Sequence, residues 1–212
     1  MTGMGILRYR LLLFIALSLR CGGALAMPAA DKESIRSLSN QAAQDYDEGR
    51  YEAALDKFQR AYTIAKVPKL AVWLARTQDK LGRLVESSEH YREALSLQRN
   101  ELWKSDQQQL AQADAEAELQ RLQSRIPRLT VRVETETEDF TVTVDDTAIP
   151  KALLGVERPV DPGTREVVAK HGADVVHQTV ILAEGDTKAV TLKLTPEAPL
   201  SSESTLTRHQ PL

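Results

Sequence analysis

The sequence predicts an α+β chain in two parts: helical hairpins closed by a long capping helix, then a small antiparallel β-sandwich. Three observations predict it. The stretch Glu48–Tyr62 aligns without a gap on Leu81–Leu95, 33 positions later, so that Gly49 falls on Gly82, Arg50 on Arg83, Phe58 on Tyr91 and Ala61 on Ala94. From Glu101 to Arg125 there is neither Gly nor Pro, and apolar residues recur at helical spacing. After Pro127 the apolar period changes to two. A repeat of this length marks stacked supersecondary units, none of which can bury its apolar face alone.

Composition bounds the function. Of 212 residues, 42% are hydrophobic and 27% charged, an ordinary globular balance. The net charge of -3 argues against a general nucleic-acid binder. At the N-terminus, Arg8 and Arg10 precede the short apolar run Leu11–Leu19, and small residues follow to Ala24-Leu-Ala26. A basic region, an apolar region too short to span a bilayer and an A-x-A site make a secretory signal, with cleavage expected between Ala26 and Met27. Removing residues 1–26 takes three arginines and no acid, which moves the net charge to -6. The single cysteine, Cys21, falls in this segment, so the processed chain is expected to have no disulfide and no thiolate chemistry. Lipidation of Cys21 is the alternative, although Arg20 stands where a lipidation signal needs a small residue. No later segment is long and apolar enough to anchor the processed chain in a membrane.

Residues 31–125 read as the helical part. Ile35, Leu38, Ala42 and Tyr46 stripe a first helix over Ser34–Asp47. Gly49 ends it. Tyr51, Ala54, Leu55, Phe58, Ala61 and Tyr62 stripe a second, and Pro68 opens a third that carries Leu70, Leu74 and Leu81 up to Gly82. Leu84, Tyr91, Ala94 and Leu95 stripe the fourth. Trp103, Ala111, Ala115, Leu119, Leu122 and Ile126 stripe the long helix, whose polar remainder suits a cap on the repeat; a coiled-coil dimer arm is the alternative.

The pattern Gly49, Tyr51, Ala54, Phe58, Ala61, repeated as Gly82, Leu84, Ser87, Tyr91, Ala94, resembles the tetratricopeptide repeat (TPR). The resemblance implies a groove lined by the first helix of each hairpin, and a partner protein or extended peptide as its occupant. The groove candidates are Tyr46, Lys69, Trp73, Arg76 and Lys80, a basic and aromatic set suited to an acidic or extended segment. Ser39 and Ala43 stand where a carboxylate clamp of the co-chaperone kind would need other residues, so that clamp is not expected.

Residues 127–194 read as five or six short strands. Leu129, Val131 and Val133 alternate with polar residues, as do Phe140, Val142 and Val144, and Asp145-Asp146 supplies a turn. Pro162-Gly163, Gly172 and Glu184-Gly185 mark further turns between Val167–Ala169, Val176–Leu182 and Val190–Leu194. With Val142-Thr-Val-Asp145, these turns resemble the PEGA-type surface domain. A TPR region followed by such a sandwich is similar to exported envelope proteins of myxobacterial type, which implies a periplasmic or envelope location and protein binding. Residues 195–212, rich in Pro and Ser and without a period, read as a disordered tail.

No catalytic, cofactor or metal constellation is expected. His90, His171, His177 and His209 form no i, i+4 pair, and there is no phosphate loop, nucleophile elbow or Cys/His dyad. The expected function is therefore a non-enzymatic scaffold or adaptor of the cell envelope. The alternative is a module that binds carbohydrate or peptidoglycan, a cell-wall polymer, through the sandwich. That reading has little stacking surface, because the one aromatic of the sandwich, Phe140, is in phase with Val142 and Val144.

Overall fold

The computed structural model describes residues 27–99 and 106–194. The expected signal segment with Cys21, Trp103 and the tail 195–212 lie outside the described residues. Within them are α1 (Ala29–Asp47), α2 (Tyr51–Ile64), α3 (Pro68–Lys80), α4 (Leu84–Ser96) and α5 (Gln107–Gln123). Then follow β1 (Arg128–Glu134), β2 (Thr141–Val144), β3 (Thr147–Ala148), β4 (Glu157–Pro159), β5 (Gly163–His171), β6 (Asp174–Leu182) and β7 (Thr187–Lys193). Among the described residues no helix is long and apolar enough to cross a membrane.

The 33-residue period is a structural period. Gly49 takes φ 77° and Gly82 φ 73°, the left-handed conformation that glycine adopts at no steric cost. Each sits in the same hydrogen-bonded turn. The Gly49 N–H donates to the Tyr46 carbonyl and that of Gly82 to the Asp79 carbonyl, both at 3.0 Å. One residue on, the Arg50 N–H reaches the Asp45 carbonyl at 2.7 Å and the Arg83 N–H the Gln78 carbonyl at 2.9 Å. The packing repeats too. Ala42 and Ala75, Ala54 and Ser87, Phe58 and Tyr91, Ala61 and Ala94 are all buried at matching places. Ser87 stands where the first hairpin has Ala54, and its hydroxyl is satisfied by donating to the Ala75 carbonyl at 2.8 Å. α5 packs along both α3 and α4 and presents Ala111, Ala115, Leu119 and Leu122 to the core. The small Ala111 and Ala115 bring α5 close, while Leu119 and Leu122 fill the space beyond them, as an interior at crystal-like density requires.

α1 begins five residues before the expected start. Ala29–Glu33 has no large apolar residue and no buried one, so no apolar stripe announces it, while Pro28 precedes it and Asp31 in the first turn complements the helix dipole. The described α5 begins at Gln107.

The first apolar core ends at Ile126 and the second begins at Leu129, with Pro127 between them. The second core lies between a sheet ordered β4-β1-β7 and one ordered β3-β2-β5-β6. The antiparallel expectation fails at one pair: β1 and β7 run parallel in register from Arg128↔Thr187 to Glu134↔Lys193. Alternation specifies which face of a strand is buried and carries no information about the direction of its neighbour. The Asp145-Asp146 turn is a two-residue hairpin loop with φ 47° and 62°, joining Val144 to its partner Thr147. Both Asp145 carboxylate oxygens are engaged, one by the Glu166 N–H and one by Arg165.

Among the described residues, polar contacts at three places join the two parts. Arg83, at the start of α4, offers no side-chain cap, and the Asp161 carboxylate from the β-domain accepts the Val85 N–H instead, at 2.8 Å. Arg125 bridges Asp79 of α3 and Glu184 of the β6–β7 turn, with contacts of 2.8 to 2.9 Å. The Gly185 N–H donates to the Arg125 carbonyl at 2.7 Å, and a Cβ on Gly185 would stand 3.0 Å from the Ser124 oxygen.

Candidate functional site: the α1–α3–α5 groove

Trp73 sits at the centre of an aromatic cluster. It stacks on Phe58 with ring centroids 5.4 Å apart and planes 14° apart, and it meets Tyr46 edge-on at 5.4 Å. The Arg76 guanidinium also lies over the ring, 5.4 Å from its centroid. This follows from spacing: residues three apart on α3 share a face, so Trp73, Arg76 and Lys80 look the same way, with Lys69 one turn before.

All five sequence candidates line one surface. Lys69, Trp73 and Arg76 border a pocket of about 220 Å³, whose far wall is Gln107, Leu110, Ala111 and Asp114 of α5. Tyr46, Arg76 and Lys80 border a second of about 320 Å³, closed by Asp79, Tyr91, Glu118, Arg121, Leu122 and Arg125. Arg76 is common to both. The expected basic and aromatic set is there, but α5 adds acids to it. Arg76 Nε donates to Glu118 at 3.0–3.1 Å, and Nη2 reaches Glu118 at 2.5 Å and Asp114 at 3.0 Å. The Tyr91 hydroxyl donates to the same Glu118 carboxylate at 2.5 Å. Burial alone would push Glu118 up, but the hydrogen bonds from Arg76 and Tyr91 outweigh it and hold the carboxyl below its ordinary range. Burial and then the Glu118 bond push the Tyr91 phenol up, and the Glu118 bond raises Arg76.

The cations therefore divide into two kinds. Arg76 and Arg125 are committed to carboxylates, and Lys69 donates to Gln107 at 2.9 Å. Lys80 and Arg121 are exposed, line the larger pocket and form no ion pair among the described residues, although Arg121 Nε donates to the Ala117 carbonyl at 3.1 Å and its charge helps hold the Glu118 carboxyl down. Leu110, a leucine 64% exposed, stands on the rim of the smaller pocket opposite Trp73. Sequence reading missed Leu110, Glu118, Arg121 and Arg125. The signal was present: Asp114, Glu118, Arg121 and Arg125 are spaced four, three and four apart, a charged stripe down one face of α5 and just past its end.

A third pocket, of about 440 Å³, opens between α4 and the sandwich, with Leu129, Val131, Ile149 and Val156 in its wall and the Asp161–Val85 contact beside it. Its residues come from separated segments, so no local pattern could have announced it. Phe140 is half-buried against the sandwich core, and the Lys151 ammonium lies 4.8 Å from its ring. Among the described residues no cluster of His, Cys, Asp and Glu could hold a metal ion. Comparison with protein-family models, with curated proteins and with solved structures finds no match for this chain.

Proposed function

We propose that this chain is an exported, non-enzymatic adaptor of the cell envelope that holds an extended segment of a partner protein in the α1–α3–α5 groove. The carrying observation is the division of the groove into two adjoining pockets. One carries Trp73 and the exposed Leu110 among its polar neighbours; the other presents the exposed Lys80 and Arg121, neither of them in an ion pair among the described residues. An aromatic anchor beside exposed cations suits a segment with an apolar side chain followed by a carboxylate. The TPR resemblance in α1–α4 and the signal-like first 26 residues support the same reading.

Alanine at Trp73 or Arg76 is a poor test, because those side chains also pack on Phe58 and Glu118. The better test reverses the two exposed charges. Lys80→Glu with Arg121→Glu should leave the thermal unfolding temperature within a few degrees of wild type. It should weaken partner capture from the envelope fraction on the order of tenfold, with the remaining binding less sensitive to salt. Undiminished capture by the folded double variant would remove the groove as the binding surface.

A further inference from the structure

Among the described residues β6 is paired on one side only. It is the end strand of its sheet, and among the described strands it hydrogen-bonds to β5 alone. The register shows which backbone groups are left over. The Asp145 N–H donates to the Glu166 carbonyl, so Glu166 turns its backbone toward β2. In an antiparallel ladder alternate residues face opposite neighbours. Arg165, Val167 and Ala169 therefore face β6, where they meet Val180, Gln178 and Val176. The N–H and C=O groups of Val175, His177, Thr179 and Ile181 point away from the sheet. Lys188 confirms the parity at one end, since its ammonium donates to the outward Ile181 carbonyl at 2.5 Å.

Edge strands of monomers usually carry charge, proline or a bulge that prevents pairing. From Val175 to Leu182 there is no Asp, Glu, Lys, Arg or Pro; the one ionisable residue, His177, meets Glu166 of β5 at 2.9 Å, and the β5–β6 register runs without a bulge through all nine residues. Val175 is 45% and Ile181 69% exposed, both on the outer face of the sheet. These two positions are symmetric about Gln178.

We propose that β6 pairs antiparallel with β6 of a second copy, about a twofold axis at Gln178, to make one continuous sheet across a homodimer. That register sets Val175 opposite Ile181 of the second copy, His177 opposite Thr179, and the core-side Val176 opposite Val180. It joins outward backbone groups to outward backbone groups along the strand, with Lys188 released from Ile181. A foreign strand would have no need of apolar residues placed symmetrically about one centre, and an isologous contact does. Strand pairing alone covers less than the roughly 800 Å² per partner of a standard stable interface, so the dimer is reversible and concentration-dependent. Neither groove pocket contains a β6 residue, so each copy keeps its own groove.

The test uses the full chain as the cell processes it, with Cys21→Ser where that residue is retained. Directly opposed residues of a non-hydrogen-bonded antiparallel pair have Cα atoms about 4.5 Å apart, within disulfide reach. Gln178→Cys should therefore cross-link to itself on mild oxidation, while Asp174→Cys, at the strand end and far from its own copy, should not. Thr179→Pro removes an outward N–H and leaves the β5 ladder intact. It should weaken self-association at least tenfold in sedimentation velocity and leave the circular dichroism unchanged. A monomer mass at every concentration would overturn the proposal, as would equal cross-linking of the two cysteine variants. Pairing undiminished in a folded Thr179→Pro chain would do so too.

Discussion

Asp45 and Gln78 occupy the same place in the two hairpins, 33 residues apart, and show how one fold position accepts two chemistries. Asp45 is buried and accepts from Arg50 and Lys57; the hydrogen bonds of Lys57 and then of Arg50 hold its carboxyl below the usual range. Gln78, equally buried, donates to Glu86 at 2.9 Å and meets His90 Nδ1 at 2.8 Å. His90 stands where the first hairpin has Lys57. A buried charge needs a charged partner, and a neutral amide does not. The alignment made these pairs legible, but nothing in it placed Glu118 against Arg76, since those residues come from unrelated elements. Glu118 gives a pH prediction. Its folded value is depressed below the ordinary 4.5, so the unfolded chain takes up the proton first as pH falls. The stability it contributes is present above about pH 4.5 and is lost as pH drops through the folded value. Glu118→Gln should cost on the order of 1 kcal/mol at neutral pH, the ion pair being partly screened by solvent. It should also flatten the acid limb of a stability profile below about pH 4.5, measured by urea titration. An unchanged acid limb would place that pH dependence elsewhere, for instance in Asp45, Asp145 and Glu184, whose values are also lowered.

At the scale of elements, the helices were more legible than the strands. A stripe such as Ala54, Phe58, Ala61 specifies both a helix and its buried face. Alternation specifies only a face, which is why the parallel β1–β7 pair was not foreseen. β3 and β4, of two and three residues, are too short to show any period. The start of α1 was invisible for the opposite reason, because a helix turn with no buried side leaves no apolar trace. The glycine turns were legible, and they invite a clean measurement. A Cβ at Gly82 would meet nothing within 4 Å, so substitution there tests the backbone alone. Gly82→Ala should cost about 1 to 2 kcal/mol in urea unfolding, and Gly82→Asn less, because asparagine tolerates the left-handed region. Equal costs for the two would mean that something other than φ governs the turn.

For the whole molecule, the helical part and the sandwich have separate cores and a joint built from a few named groups. The two cores were legible from the change of period at Pro127. The joint was not, because Asp161, Glu184 and Gly185 contact α4, Asp79, Ser124 and Arg125 only once both parts are folded. Arg125 is the most connected of these, with Glu184 and then Asp79 raising its pKa. Arg125→Ala should leave both cores intact and uncouple them, splitting a single calorimetric transition into two. One unsplit transition would show that the Val85–Asp161 bond and the Gly185 contact suffice. The central claim, however, concerns the groove, and site-specific photocrosslinking in intact cells tests it most directly. A crosslinker at Lys80, inside the groove, should capture one discrete envelope protein, and the same probe at Gln59, exposed on α2 away from both pockets, should capture none. Equal capture from the two positions, or capture from Gln59 alone, would contradict a partner held between α1, α3 and α5.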